Sequence, residues 1–184
     1  MSMAFIGYAQ SWTKQYDHVD ECVCGLSLVG KGEKHGFVNK EGKLIVPLVF
    51  DEALTFSEGL AAVMEHGKWG YIDSTGKISI QMQYSEAMSF HEGLAVVSKG
   101  GNYGYINLKG EVIIPLEFGG ARYFSEGLAP VMNTKGKWGY IDKNGKLAIP
   151  YKYGFADVFT DGQARVMDGT TMVYIDPTGA KLKD

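Results

Sequence analysis

The chain has 184 residues, of which 45% are hydrophobic and 21% charged, and its 18 basic and 21 acidic side chains give a formal net charge of −3. This balance predicts a folded, globular domain rather than a disordered chain. A nearly neutral charge with two arginines argues against a surface for nucleic acid or anionic lipid, so neither is an expected partner. The 25 glycines beside 11 tyrosines and 9 phenylalanines are typical of short strands joined by glycine turns.

Residues 1–15 precede the first periodic segment, and the apolar positions between Ala4 and Trp12 predict a capping strand there. This segment lacks the basic start and the unbroken apolar run of a secretory signal. No stretch of the chain reaches the ~20 apolar residues that span a bilayer. We therefore expect a cytoplasmic location and no membrane partner.

The next chemistry-bearing residues are Cys22 and Cys24, which are one residue apart. That spacing does not make a disulfide framework, and no further ligands at suitable spacing complete a thiolate metal site. No metal or other cofactor is therefore expected. Aligned on the repeat that follows, the pair fills the positions of Phe56 and Glu58, which predicts that one of the two side chains points inward.

From about residue 16 onward the sequence repeats with a period of 34 residues. Each copy holds a block F-x-E-G-L-A, then a block G-Y-I-D, then a turn glycine. The G-Y-I-D block begins at Gly70, Gly104 and Gly139, and related blocks begin at Gly36 and Val173. Five copies cover residues 16–49, 50–83, 84–117, 118–152 and 153–184, which we interpret as one domain.

Within the second copy, apolar alternation and turn residues predict strands over residues 60–64, 69–73 and 78–80. The connector over residues 47–58 is compatible with a helical turn or with an irregular crossing segment. Three strands cannot bury an apolar face alone, so neighbouring copies must pack on each other. The sequence thus predicts an all-β repeat protein of five three-stranded antiparallel units in an open twisted array. The alternative is a small five-bladed, propeller-like ring.

Two strings carry a resemblance to a known family. KWGYIDSTGK at residues 68–77 and KWGYIDKNGK at residues 137–146, each preceded by F-S-E-G-L-A, resemble the WG-repeat family. The Trp-Gly pair is kept at these two places, changes to Tyr103-Gly104 and His35-Gly36 in other copies, and is lost at Met172-Val173. The resemblance implies a bacterial, β-rich repeat array that mediates binding and is often attached to other domains. It brings no set of catalytic residues.

An aromatic column is the first candidate binding surface. Trp69, Tyr103 and Trp138 share one position of the repeat with His35, so a regular array places their rings in a row. Such a row is compatible with stacking on sugar rings or on a peptide, and equally with packing at the seam between copies.

Two variable columns are the second candidate surface. One holds Ala62, Val96, Pro130 and Arg165, and the other holds Met64, Ser98, Met132 and Met167. Alternation places both opposite the core residues Ala61 and Val63. They therefore form either an outward, methionine-containing strip for a protein partner or a second core layer. The candidate binding residues are accordingly Trp69, Tyr103, Trp138, Arg165, Met64, Met132 and Met167.

Recurring acids offer a third possibility. Glu58, Glu92, Glu126 and Asp161 share one column, and Asp73, Asn107, Asp142 and Asp176 share another. An acid that returns in every copy is most simply explained by hydrogen bonds to the backbone at the turn it precedes. An enzyme would need a pocket between copies with residues such as Glu92 and Glu126 as acid and base. We expect no enzyme, but a non-catalytic scaffold that binds a protein or peptide; the alternative is a carbohydrate-binding module built on the aromatic column.

Overall fold

The computed structural model describes residues 11–182, which contain one 3-10 helix, Ser11–Gln15, followed by five antiparallel sheets in chain order. Most of the predicted capping strand falls on residues 1–10 and lies outside the described residues, and its last two residues, Ser11 and Trp12, begin the 3-10 helix. The Trp12 ring lies against Gly42 of the first sheet, whereas the equivalent Gly76 lies against Val46 of the preceding sheet. Trp12 therefore covers the first sheet where a preceding sheet would otherwise pack.

Each of the first four sheets is a meander of one short strand and three longer ones, and the fifth has three strands among the described residues. Sheet 1 contains β1 (His18–Val19), β2 (Leu26–Lys31), β3 (Lys34–Asn39) and β4 (Leu44–Phe50). Sheet 2 contains β5 (Glu52–Ala53), β6 (Leu60–Glu65), β7 (Lys68–Asp73) and β8 (Ile78–Tyr84). Sheet 3 contains β9 (Glu86–Ala87), β10 (Leu94–Lys99), β11 (Asn102–Asn107) and β12 (Val112–Phe118). Sheet 4 contains β13 (Gly120–Ala121), β14 (Leu128–Met132), β15 (Trp138–Asp142) and β16 (Leu147–Tyr153), and sheet 5 contains β17 (Phe155–Ala156), β18 (Ala164–Asp168) and β19 (Thr171–Ile175).

The predicted count of three strands per copy is one too few for the first four sheets. The connector is neither helical nor wholly irregular, because β5 pairs with β6 through Glu52 to Met64 and Ala53 to Val63. The last strand of the second copy, β8, is also longer than the predicted residues 78–80, and in each of the first four copies a single residue separates the last strand from the next short strand. Each connector therefore contains the end of the last strand of one sheet and the short first strand of the next.

The Trp-Gly pair requires glycine because the backbone of the fourth strand lies too close to leave room for a Cβ atom. The register between β7 and β8 shifts on both sides of Tyr71, as in a β-bulge. A Cβ atom on Gly70 would lie 2.5 Å from the Ile80 carbonyl oxygen and 2.8 Å from the Met82 nitrogen. The equivalent Gly36, Gly104 and Gly139 face the same obstacle. In the fifth sheet, where the described residues contain no fourth strand, Val173 takes this place.

The hydrophobic core lies in four seams between consecutive sheets. One face of the second sheet, with Ala61 and Val63, packs on the first sheet, and the opposite face, with Leu60, Ala62 and Tyr71, packs on the third. The column of Ala62, Val96 and Pro130 is buried in this way. Of the two predicted alternatives for this column, the second core layer is therefore the observed one in the inner copies, and the outward strip is not.

Aromatic pairs join the sheets across every seam. Phe37 packs on Phe56, Tyr71 on Phe90, Tyr105 on Phe124 and Tyr140 on Phe159, with ring centroids 4.8–5.0 Å apart. Cys22 occupies the corresponding position in the first sheet, which no described sheet precedes, and its side chain is exposed. Cys24 is exposed as well, so the expectation that one of the two cysteines points inward is wrong.

The array is open at its last sheet. Tyr174 and Met172 are 47% and 41% exposed, and Arg165 beside them is exposed too, although the equivalent residues of the inner sheets are buried or half-buried. A closed ring would bury this face against the first sheet. The all-β open array predicted from the sequence is therefore the observed architecture. No helix within residues 11–182 has the length and apolar character needed to cross a membrane.

Candidate functional site

The recurring glutamates bond to the backbone of the following copy. Glu58, Glu92 and Glu126 occupy the first position of two-residue hairpin turns, with φ between 51° and 55°, and a glycine with positive φ follows each. The Gly93 N–H donates to Glu58 Oε2 at 2.9 Å, and the N–H groups of Gly127 and Gly162 donate to Glu92 and Glu126 at 3.1 and 3.0 Å. The sequence predicted a backbone role at the residue's own turn; the bond instead crosses a seam.

The aspartate and asparagine column stabilises its own turn, as its position predicts. Asp73 Oδ1 accepts the N–H groups of Thr75 and Lys77 at 2.9 and 3.1 Å. Hydrogen bonds from the Thr75 hydroxyl and then from its backbone N–H lower the pKa of Asp73 below its ordinary value of 3.8. Asn39, Asn107, Asp142 and Asp176 make the same pair of backbone bonds.

The aromatic column lies along one edge of the array. Trp69 is paired across the sheet with Met64 and Tyr84, and Trp138 is paired with Met132 and Tyr153. Trp69, Tyr103 and Trp138 are half-buried: each packs at a seam and keeps part of its ring in contact with solvent. Both interpretations of this column, seam packing and partial exposure, therefore hold at once.

Two adjoining cavities open beside these rings. The first, of about 180 Å³, lies between sheets 2 and 3 and is bounded by Trp69 and Tyr103. The second, of about 320 Å³, lies between sheets 3 and 4 and is bounded by Tyr103, Met132 and Trp138. Both are also lined by Glu86 and Met88, so the two cavities lie side by side around the Tyr103 side chain. We call this pair of cavities the aromatic groove; its lining residues are Trp69, Glu86, Ala87, Met88, Val96, Tyr103, Gly119, Gly120, Ala121, Arg122, Met132 and Trp138.

The aromatic groove contains an acid and a cation at fixed places. The Tyr103 hydroxyl donates to the Glu86 carboxylate, 2.8 Å from Oε1 and 2.9 Å from Oε2. Burial first, and the Glu86 hydrogen bond second, raise the pKa of Tyr103 above 10.0. The Arg122 guanidinium lies 5.5 Å from the ring centre of Trp138 and 5.0 Å from that of Phe155. Its Nε is buried without a hydrogen-bond partner among the described residues.

The remaining candidate residues lie outside this groove. Met64 and Met167 share the column of Met132 but line neither cavity. Arg165 lies on the outer face of the fifth sheet, beside a separate cavity of about 440 Å³. Sequence reasoning missed Glu86, Met88 and Arg122, which come from connectors. A usable signal existed, because Leu54, Met88, Arg122 and Asp157 share one highly variable position of the repeat.

A family model described as a WG containing repeat matches four consecutive stretches of the chain, residues 36–69, 69–103, 103–138 and 138–169. Three of the four stretches begin at a residue of the aromatic column, so the unit of the family runs from one aromatic edge position to the next. A search of curated proteins finds no match.

Solved structures with a similar fold include proteins made of repeated β-sheets. Hsv2 of Kluyveromyces lactis matches with a TM-score of 0.58 and 14% identity over 86% of this chain and 58% of that one. The computationally designed protein Ika8 matches with a TM-score of 0.55 and 13% identity over 86% and 57%. The WD40 beta propeller domain of Doa1 matches with a TM-score of 0.50 and 12% identity over 91% and 69%. The chain thus spans somewhat under three fifths of the first two proteins, and the likeness concerns the fold alone.

Proposed function

The chain belongs to the family of WG-repeat proteins, and from this premise we propose that it is a non-catalytic scaffold that binds an extended segment of a partner protein in the aromatic groove. The observation that carries the proposal is the adjacency of the two cavities, which share Glu86, Met88 and Tyr103 as lining residues. A groove that runs across three consecutive sheets suits a chain-like ligand better than a compact one.

The chemistry of the groove suits a peptide. Aromatic rings and the methionines Met88 and Met132 supply an apolar surface that adapts to different side chains. Glu86 accepts hydrogen bonds, and the Arg122 guanidinium, held over two rings, donates them. Acceptor and donor together match the N–H and C=O groups of a peptide backbone.

A glycan is the weaker candidate for the same groove. Stacking on sugar requires an open ring face, and the face of Trp138 is covered by Arg122. The Tyr103 hydroxyl is already bonded to Glu86, and all three rings are half-buried. These contacts favour the protein ligand over the carbohydrate.

Recurring acids support a non-catalytic role. Glu92 and Glu126, the pair that an acid–base mechanism would use, accept backbone N–H groups across a seam. Glu92 is also 3.1 Å from the Lys143 ammonium. Both carboxylates therefore have a structural task that explains why they recur.

The test uses two methionines in the same column of the repeat. Linear random peptides displayed on phage are selected against the intact protein, and the affinities of the recovered peptides are measured for Met132→Ala and Met167→Ala. Both residues are half-buried, but only Met132 lines the groove. We expect Met132→Ala to weaken binding about tenfold, as removal of a central interface side chain does, and Met167→Ala to leave it unchanged. Equal effects of the two variants, or no recovered peptide, would contradict the proposal.

A further inference from the structure

The outer face of the fifth sheet repeats a binding surface that is already occupied in the inner seams. We call it the end face and define it by Thr160, Asp161, Gln163, Arg165 and Tyr174, which together with Tyr123 border the cavity of about 440 Å³. Three of these residues have counterparts that bond to the backbone of the next copy. The inner seams therefore show what kind of ligand the end face fits.

The first group is the tyrosine hydroxyl. Tyr71, Tyr105 and Tyr140 each donate to a backbone carbonyl of the next copy, at Met88, Arg122 and Asp157, over 2.7–2.8 Å. Each of these rings also packs on the phenylalanine two residues further along that copy. Tyr174 holds the same position in the last copy, is 47% exposed, and has no such partner among the described residues.

The second and third groups lie in the turn before the strand. Ser57 and Ser125 donate their hydroxyl groups to the carbonyls of Phe90 and Phe159 in the next copy, both over 2.6 Å. The glutamate that follows accepts a glycine N–H, as described above. In the last copy these positions hold Thr160 and Asp161, whose side chains are exposed and form no hydrogen bond among residues 11–182.

We propose that the end face binds a hairpin turn of sequence Phe-x-x-Gly on a partner protein. The phenylalanine ring packs on Tyr174, and the phenylalanine carbonyl accepts the Thr160 hydroxyl. The glycine N–H donates to the Asp161 carboxylate, and the carbonyl two residues before the phenylalanine accepts the Tyr174 hydroxyl. Every one of these bonds has a precedent in the inner seams.

The charge of Arg165 favours binding of a single turn to the end face over stacking of a whole further sheet. Its column holds Ala62, Val96 and Pro130 in the inner copies, where a full sheet covers it. A stacked sheet would bury the guanidinium, which forms no ion pair among the described residues, and an unpaired buried charge is costly. A turn leaves this cation in water.

A second copy of the chain is a poor ligand for the end face, because its first sheet would also bury Arg165 and because its first repeat lacks the required phenylalanine. The first repeat has Cys22 where the ligand needs phenylalanine. Its Val29 and Val38, which would face the end face, are already fully buried. The partner is therefore a different protein with an exposed Phe-x-x-Gly turn.

The probe is a cyclic peptide containing Arg-Tyr-Phe-Ser-Glu-Gly-Leu, the sequence of residues 122–128, titrated into the intact 15N-labelled protein. We expect amide shifts at Thr160, Asp161 and Tyr174. Replacement of the glycine by sarcosine removes the N–H that Asp161 accepts, and we expect about tenfold weaker binding. Replacement of the phenylalanine by alanine is expected to abolish binding.

Protein variants complete the test. Tyr174→Phe and Asp161→Asn are expected to weaken binding of the cyclic peptide about fivefold to tenfold, whereas Tyr123→Phe, in the same cavity but without a counterpart bond, leaves it unchanged. Met132→Ala, which tests the aromatic groove, is also expected to leave it unchanged, so the two proposals fail separately. Absence of binding, equal affinity of the sarcosine peptide, shifts confined to the aromatic groove, or covering of the end face by self-association would each overturn the proposal.

Discussion

At the scale of single residues, the Trp-Gly signature combines two unrelated requirements. The aromatic residue lines the groove edge, while the glycine is needed because the fourth strand leaves no room for a Cβ atom. Gly70 has no positive φ, so its requirement is one of space and not of backbone freedom. The last copy has Met172 and Val173 in place of this pair, and its described residues contain no fourth strand.

This explanation predicts the effect of adding one methyl group. Gly70→Ala is expected to lower the free energy of unfolding by about 3 kcal/mol, because the new Cβ atom meets backbone that cannot rotate away. Val173→Ala, in the same column, removes methyl groups and is expected to cost about 1 kcal/mol. Urea denaturation of both variants measures the difference. An unchanged midpoint for Gly70→Ala would show that the fourth strand does not press on this glycine.

At the scale of structural elements, the three seams between sheets 2 and 5 are held by one recurring set of contacts. An aromatic pair, a tyrosine hydroxyl to a carbonyl, and a glutamate to a glycine N–H connect consecutive sheets. Burial raises the pKa of Tyr71 well above its ordinary value, because the charged phenolate is disfavoured there. Each of sheets 2 to 5 therefore depends on its neighbours for both its apolar and its polar partners.

Two tyrosines at the same position of the repeat, Tyr71 in an inner copy and Tyr174 in the last copy, test the seam hydrogen bond. Tyr71→Phe leaves the Met88 carbonyl without its donor and is expected to lower the free energy of unfolding by about 1 kcal/mol. Tyr174→Phe removes the same atom where no seam exists, and its stability is expected to equal that of the unchanged protein. Thermal or urea unfolding compares the two. Equal losses would mean that the hydroxyl acts through something other than the seam.

At the scale of the whole molecule, the array is an open series of sheets whose last member is covered on one face only. Interior sheets have two seams, and the first and fifth sheets each have one among the described residues. Val29 and Val38 of the first sheet are nevertheless buried, whereas Tyr174 of the fifth sheet is exposed. In repeat proteins stability is roughly a sum of intrinsic terms and neighbour contacts. Because its outer face is exposed, we expect the fifth sheet to be the least stable of the five sheets within residues 11–182.

Hydrogen exchange tests this order of stability. Amides of β18 and β19 are expected to exchange at least tenfold faster than the equivalent amides of β10 and β11, which lie in a sheet packed on both faces. Native-state exchange followed by NMR gives both rates in one sample. Equal protection in the two sheets would indicate that the end face is covered in solution, as in a closed ring.

How much of the molecule could be predicted differs from feature to feature. The period, the core column of Ala61 and Val63, and the turn role of Asp73 follow from local patterns, because alternation and turn chemistry act over a few residues. The short strand at Glu52–Ala53 could not be found, because two residues carry no periodic signal and their pairing partner lies in the following strand.

Some features of the candidate site could likewise be predicted from the sequence, and others could not. The sequence alone determined that Trp69, Tyr103 and Trp138 share one row and that the chain repeats five times, since equal positions in equal units fall in a row. Only the tertiary structure decided that Glu86, Met88 and Arg122 complete a groove, that Glu58 bonds across a seam, and that Arg165 faces solvent. These features depend on how one sheet packs against the next, and that packing joins residues about one repeat apart whose contact leaves no pattern within either copy.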